Sequence, residues 1–102
     1  MHEQEVERLR EVAAEFMARE ANRNSLITVT RAEMGTNGRS ATIFITVYPE
    51  TAEAQAVEFA NRNRGEFGKF FETRVRGMRV PRVEFAIDMG DKNRRRLDEL
   101  TN

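Results

Sequence analysis

Residues Asn61 to Asp88, NRNRGEFGKFFETRVRGMRVPRVEFAID, decide how this chain folds. Asn61-Arg62-Asn63-Arg64 closes one helical stretch, and Gly65 and Gly68 interrupt it. Phe67, Phe70, Phe71 and Val75 then resume a stripe at helical spacing. Gly77 is placed to cap this second helix. Pro81 opens a strand, where its missing N–H is tolerated, and Val83, Phe85 and Ile87 alternate inward against Arg82, Glu84 and Asp88. The stretch is also basic. Arg62, Arg64, Lys69, Arg74, Arg76, Arg79 and Arg82 face only Glu66 and Glu72, in a chain whose formal charge is zero. A partner meets local potential rather than net charge, and phosphates are the usual partners of such a stripe.

Upstream, Val6, Leu9, Val12, Ala13, Phe16 and Met17 recur at spacings of three and four, which predicts an amphipathic helix from Glu3 to about Ala21. Glutamates at its start suit the helix dipole. Asn22-Arg23-Asn24-Ser25 reads as a loop. Leu26 to Met34 is rich in β-branched residues and reads as a strand, and Gly35-Thr36-Asn37-Gly38 as a hairpin turn. Ala41 to Tyr48 alternates cleanly, with Ala41, Ile43, Ile45 and Val47 on the core face and Thr42, Phe44, Thr46 and Tyr48 on the other. Pro49 ends that strand, and Thr51 is a candidate N-cap for the helix through Ala54, Val57, Phe59 and Ala60. The tail from about 89 to 102 adds a short helical turn through Leu97 and Leu100. The predicted order, α-β-β-α-kink-α-β, gives a two-layer α+β domain with helices on one face of a small mixed sheet.

At 102 residues the chain reads as one domain, 1–102, with a single core. It has no cysteine, which excludes disulfides, thiol nucleophiles and thiolate metal sites. No apolar run reaches the roughly 18–20 residues that span a bilayer, and the acidic N-terminus is unlike a signal peptide. The expectation is a cytoplasmic protein. The second half carries the basic character, with eleven Lys or Arg and nine acids, against six and eight in the first half.

In this element order, with a glycine break between its last two long helices, the chain is similar to type II KH-like RNA-binding domains. Within them it resembles the ribosome-binding factor A family over roughly Val6 to Leu100. The likeness sits in Arg19-Glu20, Ile27-Thr28-Val29-Thr30 with Glu33-Met34, and Ser40 through Tyr48. It continues in Asn61 to Gly65, Arg79-Val80-Pro81 with Phe85 and Asp88, and Arg96-Leu97-Asp98-Glu99-Leu100. The family usually has an Asp-Pro-Arg-like loop after its first helix and an Ala-x-Gly kink; this chain has Asn22-Arg23-Asn24-Ser25 and Asn63-Arg64-Gly65. A monomer is expected, and the resemblance implies an assembly factor for the small ribosomal subunit. It would dock on precursor 16S rRNA, assist late 30S maturation and make or break no bond. The basic stripe itself points to Arg62, Arg64, Gly65, Lys69, Arg74, Arg76, Arg79 and Arg82 as the RNA-binding residues.

Gly65-Glu66-Phe67-Gly68 matches GxxG, the loop by which many KH domains clamp a nucleotide backbone. Glu66 would oppose phosphate there, and Phe67 belongs to the apolar stripe, so a kink with a core phenylalanine is the favoured reading. Phe44 and Tyr48 could stack on bases, against the favoured alternative of lying beneath the first helix or in a minor core. Arg94-Arg95-Arg96 either reaches RNA or is a solvated terminus. His2 is the only histidine and sits where chains fray, and Asp88, Asp91 and Asp98 lack calcium-loop spacing. With no phosphate-loop lysine or nucleophile elbow, no enzyme, metal, cofactor or small-molecule substrate is expected. The competing function is a protein-interaction module that uses the hairpin edge or the Phe44/Tyr48 face.

Overall fold

The periodic stripes become packed elements in a computed structural model, which describes residues 2–20 and 25–101. The order is α1 (His2–Glu20), β1 (Leu26–Met34), β2 (Ser40–Tyr48), a 3-10 turn (Glu50–Ala52), α2 (Glu53–Arg62), α3 (Arg64–Arg74), β3 (Arg82–Ile87) and α4 (Met89–Thr101). Of the loop read at Asn22 to Ser25, all but Ser25 lies outside the described residues, as does the side chain of His2.

The sheet order is β1-β2-β3, with β1 antiparallel and β3 parallel to β2. A parallel neighbour cannot be reached by a tight turn, so α2 and α3 form the crossover. Their apolar sides and that of α1 meet one sheet face. Leu9, Val12, Ala13, Phe16 and Met17 pack with Ile43, Ile45, Val47, Val83 and Phe85. Phe67 is the centre of this core, fully buried, with ring centroids 5.4 Å from Phe16, 6.0 Å from Phe71 and 5.9 Å from Phe85.

Four expectations need correction. The helix break falls at Asn63 alone, and Gly65 and Gly68 lie inside α3. Asn63 has φ −98° and ψ 16°; its N–H is shared between Phe59 O and Ala60 O, and its Nδ2 donates to Phe59 O at 2.8 Å. A side chain that competes for the helix carbonyls makes the bend, so no glycine is needed. Thr51 is in the 3-10 turn, and the residue preceding α2, Ala52, makes no side-chain cap. Gly77 does not cap α3, which ends at Arg74 with Val75 extended; it turns the following loop with φ +80°. The tail is a 13-residue helix rather than a single turn.

Candidate nucleic-acid interface

Where α3 begins, its backbone lies against the loop that leads into β3. Gly65 and Gly68 present no side chains there: a Cβ on Gly65 would meet nothing within 4 Å, and one on Gly68 would lie 3.7 Å from Val80 Cγ1. Arg64, Gly65, Gly68, Val80, Pro81 and Arg82 line a groove of about 440 Å³ along this exposed stretch of helix. Arg64 Nε donates to Asn61 O at 3.0 Å, which steers the guanidinium along the helix. The N–H of Arg82 donates to Arg39 O at 2.8 Å, which brings the end of the β1–β2 hairpin to the same corner. A second recess, lined in part by Arg64, Arg82, Ser40, Glu33 and Glu84, continues it onto the sheet edge.

The eight residues singled out in the sequence divide into two sets. Arg62 pairs with Glu58 at 3.6 Å, Lys69 with Glu66 at 3.7 Å and Arg74 with Glu15 at 2.9 Å. Arg74 also stacks on Phe70, 4.7 Å from the ring centroid, and thereby ties α3 to α1. Arg64 and Arg82 share the groove with Gly65, while Arg76 and Arg79 are exposed in the loop that supplies Val80 and Pro81. None of these four arginines has a carboxylate partner among the described residues, and Arg39 has none either. Sequence reasoning missed Arg39, because its place beside Arg82 follows from the parallel pairing of Ser40 with Arg82.

Asn61, read only as helix end, fastens α2 to β3: its Nδ2 donates to Phe85 O at 3.1 Å and its Oδ1 accepts from Phe85 N at 2.9 Å. One amide thereby completes the open edge of β3 and fixes the groove wall.

The open face of the sheet also differs from expectation. Neither Phe44 nor Tyr48 lies under α1. A bulge at Thr30 shifts the β1 register between Val29 and Arg31, and the Arg31 guanidinium covers the Phe44 ring at 3.9 Å. Glu33 and Asp88 hold Arg31 there, the latter with Nε 3.4 Å from Oδ2. Tyr48 is 70% exposed. Asp88 is buried, and burial pushes its carboxyl upward; donation from Thr30 Oγ1 at 2.6 Å and the Asp91 N–H at 3.0 Å, with Arg31 nearby, overrides this. The result is a carboxyl below its ordinary range that caps the N-terminus of α4.

Among the described residues no group of three or more His, Cys, Asp or Glu side chains is arranged to hold a metal ion, and no helix is long and apolar enough to cross a membrane. The groove itself is walled by helix backbone, guanidiniums and the Val80-Pro81 segment. With helices on one face of a mixed three-stranded sheet, the fold is α+β of the type II KH-like class. A family model for ribosome-binding factor A matches residues 2–101, and the chain belongs to that family.

The chain is similar in fold to a crystal structure of ribosome-binding factor A from Thermus thermophilus. The TM-score is 0.71 at 23% identity, covering 80% of this chain and 90% of that one. A solution NMR structure of a Thermotoga maritima protein, a putative ribosome binding factor A by its description, gives 0.68 at 19% identity, over 81% and 82% of the two chains. A homology model of the Thermus thermophilus factor, fitted into a cryo-EM map of a 30S complex with that factor, gives 0.68 at 24% identity, over 78% and 86%. No curated protein matches the chain significantly.

Proposed function

We propose that this protein is an RNA-binding assembly factor that docks, as a single cytoplasmic domain and a monomer, on immature small-subunit rRNA and assists late 30S maturation without bond chemistry. The observation that carries the reading is the groove at the start of α3. Bare helix backbone at Gly65 and Gly68 lets a sugar–phosphate chain approach closely, and Arg64 and Arg82 stand on its rim. Arg39 adjoins Arg82, and Arg76 and Arg79 add unpaired charge in the loop that leads to the groove. Phosphate contacts of this kind set register and orientation, and shape selects the site. The paired cations Arg62, Lys69 and Arg74 are secondary contacts, since RNA must first displace Glu58, Glu66 or Glu15. The family and the 30S complex of the Thermus factor support the choice of the small subunit.

Co-sedimentation with precursor small subunits tests this. The double variant Arg64→Glu/Arg82→Glu, with native circular dichroism, is expected to leave the particle fraction. Co-sedimentation equal to that of the parent chain would refute the groove as the docking site.

A further inference from the structure

At the far end of β2 from the groove, eight residue steps and roughly 26 Å away at strand rise, Tyr48 and one side of α4 enclose a second cleft. It is lined by Tyr48, Glu50, Arg95, Arg96 and Glu99 and holds about 350 Å³. That is the small end of the ligand-sized range of roughly 300–1,000 Å³. We propose that this cleft takes a single unpaired guanine base of bound RNA. The inference rests on the RNA-binding reading above but uses none of the groove's residues.

Three observations select the base. Tyr48 is 70% exposed as a residue and offers an aromatic ring, on which an unstacked base recovers its stacking. The lining carries two guanidiniums and two carboxylates, so the cleft is close to neutral and suits a heterocycle with both donors and acceptors rather than a phosphate. The carboxylates also differ. Glu50 is engaged by Arg96 at 3.2 Å, whereas Glu99 has no partner among the described residues. Guanine alone among the four bases presents two adjacent donors, N1–H and the N2 amino group, to one carboxylate. Its O6 and N7 accept from a guanidinium, and Arg95, held only by a 3.5 Å contact to Asp91, is free to turn to them. Glu99 reads the Watson–Crick edge, Arg95 the opposite edge, and Tyr48 supplies the floor.

Tyr48 is the only tyrosine and the chain has no tryptophan, so the full chain labelled with 3-fluorotyrosine gives one 19F line, from this site. GMP, IMP and AMP are titrated against it. The expected result is a shift of the line at concentrations about tenfold lower for GMP than for IMP or AMP, which lack the paired donors. Glu99→Gln should abolish that preference. The shift should survive in Arg64→Glu/Arg82→Glu, whose cleft is intact. Equal responses to the three nucleotides would show binding without base selection and overturn the proposal, as would no shift at all or a preference retained in Glu99→Gln. If the groove variant keeps full RNA affinity while GMP still shifts the line, the groove reading fails and the cleft stands.

Discussion

Replacing Gly68 by alanine should make this protein more stable and a weaker RNA binder. Gly68 lies inside α3 with negative φ, and the added Cβ would sit 3.7 Å from Val80 Cγ1, an ordinary van der Waals contact. Glycine costs about 1 kcal/mol relative to alanine in a helix interior, and no clash offsets the gain. In a chain of this length about 1 kcal/mol raises Tm by roughly 4–8 °C. Gly65→Ala, in the first turn and facing open space, should give about half as much. Thermal and urea unfolding followed by circular dichroism read the stability, and filter binding with a small-subunit rRNA fragment reads the affinity. The methyl group narrows the groove between α3 and Pro81, so affinity should fall as stability rises. A stability loss of about 1 kcal/mol or more in Gly68→Ala would refute the argument, because it would mean that this glycine holds a backbone shape alanine cannot adopt. Unchanged RNA affinity in the stabilised variant would remove Gly68 from the contact surface.

Other outcomes follow from the core and from the cap of α4. Phe67→Ala removes a fully buried ring that touches three other phenylalanines and should cost about 3–5 kcal/mol, a large part of a small domain's stability, as read by urea denaturation. Asp88→Ala loses the α4 cap and the bond from Thr30, for about 2–3 kcal/mol near pH 7. Because folding lowers the Asp88 carboxyl, its contribution is present above the ordinary carboxylate range near pH 4 and fades as pH falls through the folded value. The stability gap between parent and Asp88→Ala should therefore close below about pH 4; a gap constant from neutral pH down to about pH 2 would contradict the assignment.

The strands and the core were legible because burial imposes a period. Ala41, Ile43, Ile45 and Val47 alternate, Phe67, Phe70 and Phe71 keep helical spacing, and both patterns fold as written. Features set by one side chain against the backbone were not. The break at Asn63 depends on its amide reaching Phe59 O, whereas the two glycines only look like punctuation. The bulge in β1 does leave a trace, since the apolar positions Ile27 and Val29 are followed by Ala32 and Met34, a change of parity. α4 has few apolar residues to mark it, and Leu97 and Leu100 stay exposed; its signal was Asp88 three residues before Asp91, a capping spacing. The cationic stripe was visible as composition. Which charges stay unpaired was not, because Arg74 meets Glu15 across 59 positions of sequence.

The salt dependence of RNA affinity tests the central claim most directly. Arg64 and Arg82 line the groove, Arg39 adjoins Arg82, and Arg76 and Arg79 lie in the loop that leads to it; none of the five has a carboxylate partner among the described residues. If each meets a phosphate of single-stranded RNA, the logarithm of affinity should fall against the logarithm of salt concentration with a slope of about −3.5. Arg64→Ala/Arg82→Ala should flatten the slope to about −2. A slope near zero in the parent chain, or an equal slope in the variant, would contradict a groove that holds RNA by its phosphates.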